Sequence, residues 1–335
     1  MTATSDHWTT EAALPALAES IESNWARAET LDFAGVDGVA IHAVRIAAVD
    51  GVPAAAPILL LPGRTEPLVK YRELAYDLNR AGHTLYLIDH RGQGLSGRLL
   101  GDTERGHVLD FAHYVDDAER LLDTAVLPRE SAPPVLFAHS MGGCIGTRLL
   151  QRRADAFAAA VLFSPMLEIL TGSVPGWVAR SISVALNSLP FGLADDTAYV
   201  PGGRGFEQIA FEADGELNPL THSLVRFERL MHDYVAFPAA RLGSPTRGWF
   251  KQALAAMADA IDEAERVTCP TLVFGAGDDP IVGTGGQTRL CNGSDHIEGP
   301  RIIPDARHEL LMEQDDIRNR VLDDALAFVR RVTAC

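Results

Sequence analysis

Apolar residues change their spacing along the chain, and this change divides it into segments of different kinds. Amphipathic spacing over residues 11–27 predicts a first helix, and two short strands are expected over 28–33 and 39–46, on either side of a glycine-rich turn at 35–38. From residue 57 onward, short uninterrupted apolar runs alternate with helical patterns. Such runs are typical of parallel strands that are buried on both faces.

The alternation predicts a doubly wound, mostly parallel sheet with helices on both of its faces. It stops after Ser164, where glycine, proline and aromatic residues become frequent, and it resumes near Thr271. The interruption lies between the fourth and fifth parallel strands. The sequence thus predicts one α/β domain in two parts, 1–164 and 251–335, with an inserted cap over 165–250. The expected parallel strands are 57–61, 84–88, 134–137, 158–163, 271–274 and 301–303, and the later helices are 68–81, 111–125, 143–153 and 316–332.

The composition is that of a globular protein, and its charge argues against one class of partner. Of the 335 residues, 47% are hydrophobic and 22% are charged, as in ordinary globular proteins, but the formal net charge is −16. Because nucleic-acid contacts need clustered lysine and arginine, no nucleic-acid partner is expected. The oligomeric state is not indicated by the sequence.

The chain is expected to be cytoplasmic. Its N-terminus lacks the basic and apolar regions of a signal peptide, and no apolar run approaches the ~18 residues of a transmembrane helix. The cysteines lack disulfide or zinc spacing, which fits a reducing compartment. Residues 174–178 in the cap leave peripheral contact with the inner membrane open, although the start of a cap helix is the preferred interpretation. The four cysteines are Cys144, Cys269, Cys291 and Cys335.

One short motif is typical of nucleophilic catalysis. Ser140 lies in Ala-His-Ser-Met-Gly at 138–142, between a predicted strand and a predicted helix. Small residues on both sides allow the sharp strand-to-helix turn that exposes a serine hydroxyl as a nucleophile. A serine at a helix start is often only an N-cap, but the preceding buried strand favours the nucleophile. Ala138 stands where glycine is usual, and its methyl group is expected to fit.

A serine nucleophile needs a base, and the base needs an acid that orients it. In α/β-hydrolases both follow the serine, on loops at the carboxyl ends of later strands. Asp279 is the expected acid, in preference to the solvated Asp278, because two apolar residues follow it after one intervening position. His308 is the expected base because it follows the last strand, whereas His296 precedes that strand and is expected at the surface.

The expected oxyanion donors are the backbone N–H groups of Met141, directly after the serine, and Arg64, in the loop after the first buried strand. A Gly-x-Gly-x-x-Gly pattern at 92–97 is not expected to bind a dinucleotide, because no helix opens directly after it. No histidine spacing supports a metal site around Asp278 and Asp279. Neither a cofactor nor a metal is therefore expected.

Four stretches carry a further signal: Pro62-Gly63-Arg64, residues 71–78, Asp-His-Arg-Gly-Gln-Gly-Leu-Ser-Gly-Arg at 89–98, and residues 137–143. They resemble the bacterial lysophospholipases related to monoacylglycerol lipases, a branch of the α/β-hydrolases. The resemblance implies Ser140, Asp279 and His308 as a catalytic triad, a monoacyl lipid ester as the substrate, and no cofactor. Monoacylglycerol lipases usually have His-Gly where this chain has Pro62-Gly63, and the bacterial lysophospholipases share the proline.

The sequence therefore predicts a serine hydrolase that cleaves a lysophospholipid or a monoacylglycerol through an acyl-enzyme on Ser140. One alternative is a carboxylesterase or thioesterase for a non-lipid acyl group. Another is a catalytically silent homologue that only binds a ligand, which the three filled triad positions disfavour. Some of the large apolar residues of the cap are expected to line an acyl-chain pocket: Trp177, Leu186, Leu189, Phe191, Tyr199, Phe206, Phe211, Phe227, Tyr234, Phe237 and Trp249.

Overall fold

Helices and strands alternate along the chain in a computed structural model, which describes residues 8–170, 195–213 and 215–333. The helices are α1 (Leu14–Trp25), α2 (Arg72–Arg80), α3 (Ala112–Leu121), α4 (Met141–Arg153), α5 (Leu224–Ala236), α6 (Arg247–Asp262), α7 (Thr284–Asn292) and α8 (Asp315–Thr333). The strands are β1 (Glu29–Thr30), β2 (Phe33–Ala34), β3 (Ala40–Ile41), β4 (Ala43–Ile46), β5 (Ile58–Leu61), β6 (Leu85–Ile88), β7 (Val135–His139), β8 (Ala159–Phe163), β9 (Glu212–Ala213), β10 (Glu216–Leu217), β11 (Thr271–Ala276) and β12 (Ile297–Ile303).

Eight of these strands form one sheet in the order β1-β4-β6-β5-β7-β8-β11-β12. The six strands from β6 to β12 are parallel, and only β4 and β1 at one edge run antiparallel to their neighbours. The predicted doubly wound, mostly parallel sheet is thus confirmed. All strands of the parallel part point their carboxyl ends to one edge, where a functional site is expected in this class of fold.

The apolar runs are uninterrupted because both faces of the sheet are buried. Leu59 and Leu61 of β5 face one hydrophobic core, and Ile58 and Leu60 face the other. Helices α3, α4, α6 and α7 pack on the first face, while α2 and α8 cover the second. Since each strand residue loses its contact with water, both faces contribute about 25 cal/mol per Å² of buried apolar surface to stability.

Several predicted elements differ from the structure at their ends. The two expected early strands are each divided: β1 and β4 join the main sheet, whereas β2 and β3 form a separate pair. The divisions fall at Asp32 and His42, whose side chains bond each other at 2.7 Å. The backbone N–H of His42 donates to Ser96 Oγ at 2.8 Å and not to a neighbouring strand. The helix expected over 68–81 begins with a 3₁₀ turn, and the last strand is longer than expected.

The chain between β8 and β11 contains α5, α6 and the β9–β10 pair. The division into 1–164, 165–250 and 251–335 stays a prediction, and α6 runs without interruption across residue 250. Residues 174–178 lie outside the described residues, as do four of the large apolar cap residues: Trp177, Leu186, Leu189 and Phe191. No helix in the described part of the chain is both long and apolar enough to cross a bilayer.

One part of this insertion is firmly attached to the loop after β12. The carboxylate of Glu313, which is fully buried, accepts the backbone N–H of Arg307 (2.7 Å) and that of His222 (3.0 Å). The backbone N–H of Glu309 donates to the Leu220 carbonyl at 2.9 Å. The segment 218–223 and the loop after β12 are therefore held together by side-chain and backbone hydrogen bonds.

Three of the cysteines lie in the described chain, and Cys335 lies outside it. Cys144, Cys269 and Cys291 are buried free thiols. Burial raises the pKa of each thiol to about 12, which keeps the thiols protonated and unreactive at neutral pH.

Candidate active site

Ser140 lies at a sharp turn between β7 and α4. Its backbone has φ 51° and ψ −117°, a strained conformation for a residue with a side chain. The turn depends on Gly142, because a Cβ there would lie only 2.1 Å from the Leu61 carbonyl oxygen. Ala138 has room for its methyl group because Gly146 opposite has none; a Cβ there would be 3.1 Å away. The local sequence thus presents the serine oxygen at the carboxyl edge of the sheet.

The structure brings Ser140, His308 and Asp279 together from the loops after three different strands. His308 Nε2 is 2.9 Å from Ser140 Oγ, and His308 Nδ1 is 2.7 Å from Asp279 Oδ2. The other carboxylate oxygen of Asp279 accepts the backbone N–H groups of Ile281 (2.8 Å) and Val282 (3.0 Å). Burial raises the pKa of Asp279, but the hydrogen bond and charge of His308 outweigh it and hold the pKa below its ordinary value.

The two alternative residues that the sequence offered lie elsewhere. Asp278 is exposed, and its backbone N–H donates to the Ala306 carbonyl at 2.9 Å. His296 is also exposed, directly before the last strand. The arrangement of a hydroxyl, an imidazole and a buried carboxylate can activate a serine for attack on a carbonyl carbon.

Arg64 and Met141, the predicted oxyanion donors, both border Ser140. Neither backbone N–H donates to an acceptor within the described part of the chain. Two side chains hydrogen-bond to the loop that carries Arg64 and fix its position. Gln93 Nε2 donates to the Gly63 carbonyl (2.8 Å), and His90 Nε2 donates to the Pro62 carbonyl (3.1 Å). Burial lowers the pKa of His90 to about 4, so the imidazole is neutral and this tautomer can donate.

The glycine-rich stretch at 92–97 forms a tight turn next to the site. Asp89 accepts the backbone N–H groups of Leu68 (3.0 Å) and Leu95 (2.7 Å), which fixes the turn that carries His90 and Gln93. Gly94 has φ +55°, and a Cβ there would lie 2.0 Å from the Asp89 carboxyl carbon. The glycines serve this tight turn.

A buried polar cluster beneath the site was not predicted from the sequence. Glu66 Oε1 lies 2.8 Å from His139 Nδ1, and Lys70 Nζ lies 3.1 Å from Glu66 Oε2 and 2.5 Å from Glu309 Oε2. The cluster contacts two loops of the site. Glu66 accepts the Gly63 N–H (2.8 Å), and His139 Nε2 lies 3.2 Å from the His308 carbonyl. It thereby links the loop of Gly63 and Arg64 to the loop of His308.

The charges in this cluster compensate one another. Burial raises the pKa of Glu66, but His139 and Lys70 hold it well below its ordinary value. Burial lowers the pKa of His139, but Glu66 and Glu309 raise it above its ordinary value. The only early signal for the cluster was the four-residue spacing of Glu66 and Lys70, which alone indicates an ordinary helical ion pair.

Glu66, His139 and Glu309 each offer one potential metal-ligand atom, and these three atoms lie within 4.8 Å of one another. Lys70 argues against that interpretation, because its ammonium group already contacts both carboxylates. A metal ion there would place a second positive charge against the lysine. The donor set fits an internal ion network better than a cation site.

A cavity of about 320 Å³ opens in front of Ser140 and His308. This volume lies at the lower end of the range of ligand pockets, about 300–1,000 Å³. Polar residues line the wall near the serine, and apolar residues line the rest: Met166, Ile169, Leu220, Leu230, Tyr234, Pro245, Trp249, Phe250, Ile281 and Val282. Of the described cap aromatics in the prediction, only Tyr234 and Trp249 line it. Phe206 packs on Tyr234 and Phe211 on Phe227 instead, with ring centroids 4.9 and 5.5 Å apart.

Comparison with known proteins identifies the family. A family model described as serine aminopeptidase, S33, matches residues 53–315. The chain is 35% identical over 315 residues to lysophospholipase L2 of Escherichia coli (strain K12), an alignment that covers 92% of this chain and 89% of that protein. The chain belongs to the serine aminopeptidase S33 family of α/β-hydrolases. The chain is also 26% identical over 302 residues to monoacylglycerol lipase of Mycolicibacterium smegmatis, covering 89% and 95% of the two chains.

Solved structures agree on the fold of the S33 family member. A soluble variant of monoglyceride lipase from Saccharomyces cerevisiae, in complex with a substrate analog, superposes with a TM-score of 0.68 at 18% identity. That similarity covers 91% of this chain and 95% of the yeast chain. At this identity the likeness establishes the fold alone, so the chemistry has to be argued from the residues of this chain.

Proposed function

We propose that the protein hydrolyses the ester of a monoacyl lipid through an acyl-enzyme on Ser140. The observation that carries the proposal is the hydrogen-bonded series Ser140–His308–Asp279, with distances of 2.9 and 2.7 Å, at the wall of a mostly apolar cavity. Relatives named lysophospholipase L2 and monoacylglycerol lipase support a monoacyl lipid as the substrate. The apolar residues of the cap offer the lining that an acyl chain needs.

In the first step, His308 takes the proton of the Ser140 hydroxyl as the serine oxygen bonds to the ester carbonyl carbon. The carbonyl oxygen becomes an oxyanion, which the N–H groups of Met141 and Arg64 stabilise. Asp279 keeps the proton of His308 on Nδ1 and stabilises the imidazolium. His308 then gives its proton to the departing glycerol oxygen, and the acyl group remains on the serine.

In the second step, a water molecule replaces the glycerol. His308 takes one proton from the water as its oxygen bonds to the acyl carbon, and the bond to Ser140 breaks when that proton returns to the serine oxygen. A fatty acid leaves, and the enzyme returns to its starting state. Each step uses the same donors and the same base, so no cofactor is needed for the balance of atoms.

The test is the release of fatty acid from a lysophosphatidylethanolamine and from a monoacylglycerol with the same acyl chain, by the wild type and by Ser140→Ala. Hydrolysis of either lipid, lost in a variant that still shows the wild-type circular dichroism, is the expected result. Hydrolysis of neither lipid, with Ser140 still labelled by a fluorophosphonate, would contradict the lipid substrate and leave a non-lipid esterase or thioesterase. Absence of labelling in folded protein would contradict the nucleophile itself.

A further inference from the structure

The side chain of Arg64 is a partly buried cation that no carboxylate pairs in the described part of the chain. Arg64 lines the cavity in front of Ser140, and its Nη2 donates to the Gly243 carbonyl at 2.6 Å. Its guanidinium carbon lies 5.1 Å from the ring centroid of Trp249. No carboxylate of the described chain lies within ion-pair distance of Arg64, and its Nε–H is buried without an acceptor.

The arginines that are fully buried in the described part of the chain are each paired with a carboxylate. Arg91 bonds both oxygens of Asp117 at 2.7 Å, Arg318 bonds Asp77 at 2.7 Å, and Arg226 bonds Glu73 at 2.9 Å. Since a buried charge is unfavourable unless it is paired, these carboxylates are the expected arrangement. Arg64 departs from it, and burial lowers its pKa to about 10, which still leaves the guanidinium charged at neutral pH.

The acidic residues that share the cavity do not neutralise Arg64. Glu66 and Glu309 both line the cavity, but their carboxylates are bound by Lys70 and His139. A guanidinium has five N–H donors, and the Gly243 carbonyl takes only one of them. Stacking on Trp249 covers the flat face of the group and leaves the donors at its edge for a ligand.

We propose that the Arg64 guanidinium binds the phosphate of a lysophospholipid whose ester lies at Ser140. This inference rests on the proposed function and specifies it: the enzyme would prefer a phosphate-bearing monoacyl lipid to a neutral monoacylglycerol. A guanidinium matches two phosphate oxygens with parallel N–H bonds. The short glycerol linker between the ester and the phosphate keeps both within one cavity. A monoacylglycerol carries an uncharged hydroxyl at the same place and leaves Arg64 unpaired.

The experiment compares kcat/KM for an oleoyl lysophosphatidylethanolamine with kcat/KM for monooleoylglycerol, both below their micelle concentrations. The ratio of the two values is expected to fall about 10- to 100-fold in Arg64→Gln, the range for hydrogen bonds to a charged group. The ratio is the readout because the backbone N–H of residue 64 also serves the oxyanion. Any disturbance of that loop would reduce both values alike. Arg64→Lys keeps the charge without the planar fork, so it should restore part of the ratio.

The matched control is Arg98→Gln. Arg98 also joins the core to the inserted region, donating to the Ala239 carbonyl at 2.7 Å, but it does not line the cavity. Its substitution should leave the ratio at the wild-type value. An unchanged ratio in folded Arg64→Gln, or an equal fall in Arg98→Gln, would overturn the proposal and leave Arg64 as a structural link to Gly243 and Trp249.

A binding measurement separates this proposal from the proposed function. Glycerol 3-phosphate is titrated into Ser140→Ala by calorimetry, with glycerol as the uncharged comparison. Binding of glycerol 3-phosphate that Arg64→Gln abolishes supports the anion site, even if the wild type hydrolyses neither lipid. Absence of binding, or binding that Arg64→Gln leaves intact, contradicts the anion site even if both lipids are hydrolysed.

Discussion

Replacing Asp279 by asparagine tests the arrangement of the site most directly. Two backbone donors, the N–H groups of Ile281 and Val282, hold one oxygen of the side chain at 2.8 and 3.0 Å. They would hold the amide oxygen of an asparagine in the same place. The amide NH₂ would then face His308 Nδ1, where Asp279 now places an acceptor at 2.7 Å.

Two donors cannot face each other, so His308 would move its proton from Nδ1 to Nε2. Nε2 would then donate towards Ser140 Oγ and could no longer take the proton of the hydroxyl. A tautomer error of this kind lowers kcat by about 10,000-fold in serine hydrolases. That factor corresponds to about 5.5 kcal/mol of lost transition-state stabilisation. KM should change little, because Asp279 does not line the cavity.

The assay is the steady-state hydrolysis of a chromogenic fatty acyl ester by the wild type, Asp279→Asn and Asp278→Asn. Asp278→Asn is the matched control, since the neighbouring side chain is exposed and should retain wild-type kcat. Thermal unfolding checks that both variants are folded. Activity within tenfold of the wild type in Asp279→Asn, or an equal loss in Asp278→Asn, would refute the assignment of the acid.

Three further outcomes are expected. Gly142→Ala should abolish activity and lower Tm, because its Cβ would lie 2.1 Å from the Leu61 carbonyl; a variant with wild-type Tm and kcat would contradict this. Asp77→Asn should lower the free energy of unfolding in urea by about 1.5–3 kcal/mol, since it removes the carboxylate 2.7 Å from buried Arg318 and leaves only that of Glu73, at 3.6 Å; a loss below about 1 kcal/mol would contradict this. His139 has a folded-state pKa above its ordinary value, so its contribution to stability is present below that ordinary value and is lost as pH rises through the folded pKa. Urea unfolding over a pH series should show this loss in the wild type and a flatter profile in His139→Gln.

The sheet and the three residues of the series could be predicted because their signals are local. Uninterrupted apolar runs identify strands that are buried on both faces, and the structure confirms the sheet. Ser140 follows from a short motif, and Asp279 and His308 follow from their places after the fifth and the last parallel strands. The structure brings these residues within hydrogen-bonding distance, with Asp278 and His296 left at the surface.

The buried cluster could not be predicted because its partners are distant in sequence. Glu66 and Glu309 meet at Lys70 only after the sheet and the loop after β12 have formed. No spacing rule relates such residues, and each alone resembles an ordinary surface charge. The residues that line the cavity could not be predicted either. Phe250 lines it, while Phe206 and Phe211 pack against other aromatic rings, and this difference depends on helix packing rather than on composition.

The Glu313 attachment has a consequence for exchanging substrate specificity between relatives. Because residues 218–223 are hydrogen-bonded to the loop that carries His308, the segment and that loop form one structural unit. A chimera that took this segment from another enzyme would replace one side of these buried hydrogen bonds and displace His308. The productive exchange point therefore lies before Asn218, with the segment up to Ser223 retained as part of the host. The host protein would then keep the loop of His308 intact while it receives the transplanted residues.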